Sequence, residues 1–394
     1  MEQQPLQLVP RLKDGGYEGD QVAERRAWVE KRTDAALSHV GESQVPTAGM
    51  RGNIENLIGT AQMPLGVAGP LKVAGEHADG TFYVPLATTE GALVRSYERG
   101  SVALTRAGGA QVRIYRDENR VSPVFFFDTA AAAHAFAVGL DDDLPAIRER
   151  AESTTAHGKL LRLETHPLGR QVVVAFCYDT ADAQGMNMIV KATEAGCRWI
   201  MEHSEARRYY IFSGMNSEKR ASGYLLPGGK GKKVVAGALL PAQVVRAYLH
   251  ATPQQMHDLW QHTVLGHMQA NAIGYCGHYA NGLTAMFIAC GQDVANVANS
   301  SVGITNFELT EEGDLYASVT LPSLSVATVG GGTGLGTSRE CLEMLGCLGT
   351  GKARKLAEIV AAAVLAGELS MGAAIASGEF VEAHEAYGRN RPAG

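Results

Sequence analysis

Apolar residues recur at helical spacing over residues 20–39, with charges in between, so the chain opens on an amphipathic helix. Residues 88–104 follow the same period, and Thr88 ahead of them has the chemistry of an N-cap. The pattern changes at 111–127, where Val112, Ile114 and Tyr115, then Val124, Phe125, Phe126 and Phe127, read as strands. An alanine-rich helix follows at 129–140, strands at 160–164 and 171–178, and a helix at 186–203. This β-α-β-β-α order predicts a small α+β unit between about 110 and 210. Beyond it, Val234 and Val235 mark a strand, 241–252 a helix, 254–290 a longer helical region and 315–321 a strand. The end is helical at 338–345 and 351–376, before a polar tail that carries His384. A chain of 394 residues is too long for one compact core, so two or three domains of an α+β protein are expected.

Composition narrows the function classes. Hydrophobic residues make up 45% and charged residues 19%, as in ordinary globular proteins. A formal charge of -6 argues against nucleic acid or an anionic membrane as the main partner. No uninterrupted apolar run reaches the roughly 18 residues that span a bilayer. The first 20 residues lack the apolar core of a signal peptide. These features point to the cytoplasm. The six cysteines, Cys177, Cys197, Cys276, Cys290, Cys341 and Cys347, form no Cys-x-x-Cys pair, so buried reduced thiols and no metal site are expected.

Glycine clusters around 59–69, 228–231 and 330–336 mark loops where backbone turns sharply or approaches a ligand. Gly346 to Lys352 fits G-x-x-x-x-G-K, but Ala353 follows where a phosphate loop needs a hydroxyl, and helix rather than strand precedes it. A helix–helix turn is the better reading. Gly330, Gly331, Gly332 and Thr333 supply no dinucleotide fingerprint in register, and they suit a pyrophosphate-binding turn and a plain loop equally. Glu90, Lys219, Asp293 and His384 stand in unusual company, yet each alone reads as a cap or surface charge, and no spacing rule joins them.

Several long motifs do join them. Glu55-Asn56-Leu57-Ile58-Gly59, Met63-Pro64-Leu65-Gly66-Val67-Ala68-Gly69-Pro70 and Ala87-Thr88-Thr89-Glu90-Gly91 come first. Asp182-Ala183-Gln184-Gly185-Met186-Asn187-Met188, Gly291-Gln292-Asp293, Thr328-Val329-Gly330-Gly331-Gly332-Thr333 and Gly367-Glu368-Leu369-Ser370 follow in order. With these the chain resembles hydroxymethylglutaryl-CoA reductases from about residue 20 to 390, nearer their eukaryotic and archaeal branch. The resemblance implies an N-terminal helical segment at 1–45 and a large domain at 46–109 and 213–377 around a central helix. It implies a ferredoxin-like nicotinamide-binding domain inserted at 110–212, a C-terminal lid at 378–394, and a homodimer with a shared active site. The implied reaction takes an acyl-CoA thioester to a primary alcohol with two equivalents of NADPH or NADH and no metal.

The resemblance assigns catalysis to Glu90, Lys219, Asp293 and His384. Lys219 would stabilise the oxyanion, Asp293 would orient Lys219, Glu90 would donate a proton with its pKa raised by burial or by Asp293, and His384 would protonate the CoA thiolate. Glu55, Asn56, Ser96, Glu98 and Arg99 fall to CoA. Asp182, Met186, Asn187, Thr155 and Gly330 to Thr333 fall to the nicotinamide. Ser213, Arg220, His278, Asn281, Phe126 and His262 fall to the acyl group.

The clamp for the acyl carboxylate departs from the family. Arg220 replaces a lysine, Phe126 aligns with an arginine and His262 with another lysine, while Arg120 or Arg113 offers a substitute. Each lost charge-assisted contact costs about 1.5–3 kcal/mol. Thr155-Ala156-His157-Gly158 lacks an arginine for a 2′-phosphate, leaving Lys159 or His157 for that role. Hydroxymethylglutaryl-CoA going to mevalonate is the leading expectation. The alternatives are a less acidic acyl-CoA or carrier-protein thioester and, more remotely, a catalytically silent binding homologue.

Overall fold

The longest apolar stretch, Ala353–Ser377, is a 25-residue helix buried along nearly its whole length. By length and composition it could cross a membrane, which counting uninterrupted runs overlooked. Its burial instead makes it the axis around which the chain is packed. The structure is a computed structural model that describes residues 8–381.

In chain order, α1 (Gly19–Thr33) and the one-turn α2 (Ser38–Gly41) precede the hairpin of β1 (Leu65–Ala74) and β2 (Asp79–Ala87), then α3 (Leu93–Arg106). Next come β3 (Ala110–Val121), β4 (Val124–Phe126), α4 (Ala130–Gly139), α5 (Leu144–Glu152), β5 (Lys159–Leu168), β6 (Gln171–Asp179), α6 (Met186–His203) and β7 (Arg208–Tyr210). The remainder is β8 (Gly231–Leu240), a short α7 (Ala242–Val244), α8 (Pro253–Gln269), α9 (Tyr279–Ala289) and α10 (Val297–Ser300). Finally come β9 (Ile304–Leu309), β10 (Leu315–Leu324), α11 (Gly336–Met344) and the central α12 (Ala353–Ser377).

One core gathers around α12, with α3, α9 and strands β1, β2, β3, β8 and β10 against it. Gly100 of α3 makes the closest approach, since a Cβ there would lie 1.9 Å from the Ala366 carbonyl oxygen of α12. A second core lies between Val121 and Ala206. Its antiparallel strands run β7, β4, β6, β5, with α4, α5 and α6 as crossings, the split β-α-β arrangement of a ferredoxin-like unit. Strand β3 serves both cores: Gln111 to Glu118 pair with β8, and Asn119 to Val121 pair with β6.

Several expectations change. The hairpin β1–β2 was not foreseen, because Gly66, Gly69 and Pro70 read as loop residues. Pro70 is tolerated where the β1–β2 register shifts between Ala68 and Leu71. Thr88 accepts from the Glu90 backbone at 3.0 Å in a local turn and does not cap α3, which starts five residues later at Leu93. The helical region at 254–290 is two helices, broken by a loop at 270–278. The phosphate-loop lookalike is the turn between α11 and α12, with Gly346, Gly349 and Gly351 at positive φ.

Two loops are tied to α12 by carboxylates. Glu358, fully buried, accepts the backbone N–H groups of Glu76, His77 and Ala78 at 3.1, 2.9 and 2.6 Å, so its place beside His77 is accounted for without an ion. Asp182, after β6, accepts from the N–H groups of Gly351 and Ala353 at 2.7 and 3.0 Å and caps α12 from outside. Burial works against the Asp182 carboxylate, but the N–H groups of Gly351, Ala353 and Lys352 outweigh it and hold its pKa below the ordinary 3.8.

Asp182→Ala is expected to cost about 1 kcal/mol, the usual worth of an N-cap, read as a lower Tm at pH 7. A carboxylate depressed in the folded state stabilises above its unfolded pKa and loses that contribution as pH falls through the folded one. The gap in Tm should therefore close in acid below pH 3.8. Equal Tm values at neutral pH would remove the cap from this account.

Candidate active site

Helix α9 separates the candidate catalytic groups into two pairs. At its first turn, Asn281 donates from Nδ2 to both Glu90 carboxylate oxygens, at 3.0 and 2.9 Å. Just past its last residue, Asp293 accepts from the Lys219 ammonium at 2.8 Å. An 11-residue helix rises roughly 16 Å, so Glu90 and Lys219 face different regions of the same chain.

The Glu90 end borders a cavity of about 770 Å³. Ser96, Glu98 and Arg99 of α3 line it, together with His278, Asn281 and Ser370. Arg99 donates to the Ser370 hydroxyl at 3.0 Å and to its carbonyl at 2.6 Å, and Ser96 reaches the same hydroxyl at 3.2 Å. Burial lowers the Arg99 pKa, and Glu379 opposes it. His278 is buried, with its ring 5.0 Å from that of Tyr97. Its Nδ1 lies 3.3 Å from the Gly367 carbonyl, which can only accept, so Nδ1 carries the proton. Burial lowers the His278 pKa, against smaller raising effects from Gly367 and Glu90, which keeps the ring neutral near pH 7. Glu90 itself is exposed and touches Asn281, not the Asp293 expected beside it.

At the other end, Asp293 divides its oxygens. Oδ1 accepts from the Ala295 N–H at 3.1 Å and Oδ2 holds Lys219. Lys219 sits at φ +54 and Ser217 at φ +52, left-handed backbone that turns the ammonium back toward α9. Both charged side chains are partly open, 45% and 39% exposed, so a carbonyl oxygen can reach the ammonium.

The nicotinamide candidates collect beside this second pair. The Asp182 carbonyl accepts from Thr328 at 3.0 Å, which joins the loop at 182–187 to the glycine run. Gly332 packs on Gly291, next to Asp293, and a Cβ on Gly332 would lie 2.8 Å from the Gly291 oxygen. Thr155 accepts from His157 and Gly158 at 3.2 and 3.1 Å, and Gly158 faces Met188 of α6. The first turn of α6, with Asn187 exposed, has Gly185 at its cap position and no capping side chain, leaving N–H groups for an anion. Asp182 differs from expectation: its carboxylate is spent on α12.

Other candidates are not brought in. Ser213 sits against Ser122, its hydroxyl donating to that carbonyl at 2.7 Å. Phe126 lies four residues further along β4, roughly 13 Å at strand rise, with the Arg208 guanidinium 4.5 Å over its ring. It therefore stands apart from Ser213, and buried Val121 is the neighbour of Ser122 instead. Arg120 cannot substitute. It is buried and donates to Gly229 and Gly228 carbonyls at 2.5 and 2.7 Å and to the Tyr224 hydroxyl at 2.7 Å. Arg113 is engaged by the Ala74 and Val112 carbonyls at 3.2 and 2.7 Å. Arg220 is exposed beside Lys219, and His262 is exposed on α8. Lys159 pairs with Glu152 at 3.0 Å, which leaves His157 as the exposed polar group of its loop. Glu55 and Asn56 are exposed in a loop whose Asn53 donates to Gly331 at 3.1 Å, away from the cavity lined by Ser96 and Arg99. His384 lies outside the described residues.

The family profile described as hydroxymethylglutaryl-coenzyme A reductase matches residues 21–389. The chain belongs to this family. It is 43% identical over 375 residues to the 3-hydroxy-3-methylglutaryl-coenzyme A reductase of Methanocaldococcus jannaschii, covering 93% of this chain and 92% of that one. The enzyme of the same name from Haloferax volcanii is 40% identical over 398 residues, with 97% and 98% covered. A solved class II 3-hydroxy-3-methylglutaryl-CoA reductase of Streptococcus pneumoniae, bound to NADPH in open conformations, shares the fold. The TM-score is 0.70 at 19% identity, with 89% of this chain and 96% of that one covered. The archaeal lean of the motifs agrees with these identities.

In this hydroxymethylglutaryl-CoA reductase family member, Glu368 supports the candidate site from behind. Glu368 stood inside a family motif without a role. It is buried on α12, accepts from Gly277 N–H at 3.1 Å and from His278 N–H, and takes the Thr305 hydroxyl at 2.6 Å. It thereby fixes the loop that delivers His278 and Asn281. Burial raises its pKa, against those three donors. An acid in the apolar stretch that follows Glu358 was the available signal. Glu368→Ala leaves buried N–H groups unpaired, at about 1–3 kcal/mol, and should lower both Tm and kcat. A variant with unchanged kcat would free Asn281 from dependence on this loop.

Proposed function

We propose that this chain reduces (S)-hydroxymethylglutaryl-CoA to mevalonate and CoA, as a cytoplasmic homodimer. The observation that carries the reaction is the conjunction of the Lys219–Asp293 pair with the family match over residues 21–389. The relatives named for this reaction align over 93% of the chain. NADPH or NADH, when bound, supplies one hydride to each of the two reduction steps.

The geometry of the two pairs and the family resemblance support the following division of labour. The Lys219 ammonium neutralises the carbonyl oxygen as it becomes negative, and such charge stabilisation is often what lowers the barrier most. Asp293, itself held by the Ala295 N–H, keeps that ammonium aimed. Asn281 orients the Glu90 carboxyl, the proton donor to the oxygen. His384 supplies the proton to the departing CoA thiolate. The cavity beside Arg99 and Ser370 takes the CoA arm, and the uncapped first turn of α6 with Gly330 to Thr333 takes the nicotinamide pyrophosphate.

The separation of the two pairs is what supports the dimer. The length of α9 between Glu90 and Lys219 supports a site in which one chain's Glu90, His278 and Asn281 meet its partner's Ser213, Lys219 and Asp293. Exposed apolar residues flank both halves, Met63, Leu65 and Val67 by the first and Val294 and Val329 by the second, as surfaces awaiting a partner do. Sedimentation should give twice the chain mass of 41.8 kDa.

A second reading keeps the chemistry and changes the acyl group. It is favoured by the loss of Arg120 to the Gly228–Gly229 turn, which leaves Arg220 as the exposed cation beside Lys219. A thioester panel run with NADPH and NADH decides. The leading reading expects two nicotinamides oxidised per CoA released from hydroxymethylglutaryl-CoA, and Lys219→Ala abolishing turnover in a folded protein. Inert hydroxymethylglutaryl-CoA alongside a rapidly reduced uncharged thioester would establish the second.

A further inference from the structure

Lys230 has no solvent exposure at all. Lysines are almost never buried unless paired, because an ammonium loses its hydration there. Its partner is the Glu218 carboxylate, and its other near contact is the Met186 thioether sulfur at 3.2 Å. Glu218 also accepts from the Gln184 amide at 3.4 Å. One buried ion pair thus touches the loop at 182–187 twice, through Met186 and through Gln184.

The same pair touches the oxyanion side. Glu218 immediately precedes Lys219, and Asn216 and Ser217 before it are buried. With Ser217 and Lys219 both in left-handed backbone, the segment has little freedom to absorb a shift at Glu218. Lys230 is itself fixed from below. It stands between Gly229 and Gly231, and Arg120 holds the Gly228 and Gly229 carbonyls. Burial pushes the Lys230 ammonium below its ordinary pKa, and Glu218 pulls it back.

We propose that Lys230 is a positioning residue that, through Glu218, sets Lys219 in register with the loop that seats the nicotinamide. It touches neither substrate nor hydride. Its effect is to keep the oxyanion-binding ammonium and the nicotinamide loop in one rigid frame through both reductions. A buried pair is a poor source of stability, since well-packed apolar groups of similar size do as well. A merely space-filling pair would therefore be replaceable without kinetic consequence. The proposal rests on the reductase reading.

The test uses the full chain with Lys230→Met, Glu218→Gln and the double variant. NADPH binding is followed by calorimetry, and turnover by nicotinamide oxidation with hydroxymethylglutaryl-CoA. A positioning role expects NADPH affinity weakened about fivefold, a normal size for coupling between sites. It expects kcat lowered about tenfold, as for a slightly misplaced catalytic group, with the thioester KM nearly unchanged. Should Lys230→Met not fold, the double variant removes both charges together and carries the same expectation. Folded variants with wild-type NADPH affinity and wild-type kcat overturn the proposal. Calorimetry reads the loop even if another thioester is the substrate, so failure of the reductase assay in the wild-type protein is distinguishable from failure of this inference.

Discussion

Helix α9 runs from Tyr279 to Ala289, and its fixed rise holds Asn281 and Asp293 apart. Each end is secured independently. At the start, Glu368 of the central helix grips the backbone of Gly277 and His278. At the finish, Asp293 caps its own short turn and pairs with Lys219. The described candidate groups are arranged about these two ends, with the cavity beside Arg99 and Ser370 at one and the glycine run with the α6 terminus at the other. A rigid separator of this kind is what motivates the proposal that each chain holds two half-sites rather than one whole site.

The two cores serve that arrangement. The core around α12 supplies α3, α9 and the buried carboxylates Glu358 and Glu368. The second core presents α6 and the loop at 182–187. They are joined by β3, which pairs with β8 along one half and β6 along the other, and by Asp182 capping α12. Arg162 of β5 donates to Glu118 of β3 at 2.6 and 2.8 Å and adds to the same connection, while the neighbouring Asp117 pairs with Lys232 of β8 and Arg354 of α12 at 2.9 Å each. The loop at 182–187 is thus tied to the Lys219 segment by backbone pairing and by the Lys230–Glu218 ion pair.

Much of this was legible in the residues, and what was not has physical causes. Strong periodicity placed most helices and the strands around Val112, Val173 and Val235 within a few residues. Hairpin β1–β2 was hidden because glycine and proline at its bulge carry a loop signature. The break before α9 was hidden because its cause, the grip of Glu368 on Gly277, is ninety-one residues away in sequence. Motif resemblance brought Glu90, Lys219, Asp293, Asn281 and His278 to one family site, but no local pattern states which of them share an end of α9. Nor does sequence state that Ser122, rather than Phe126, meets Ser213, since a strand position is decided by its register with β7 and β6.

The claim that one site is built from two chains is tested most directly by mixing inactive subunits. Glu90→Gln and Lys219→Ala chains, each inactive alone, are dissociated together and reassociated in equal amounts. If Glu90 and Lys219 act across the interface, half of the symmetric dimers are mixed and each has one intact site, so about a quarter of wild-type turnover returns. If both residues serve a site within one chain, every chain in the mixture remains defective, and no recovery of activity would contradict the account.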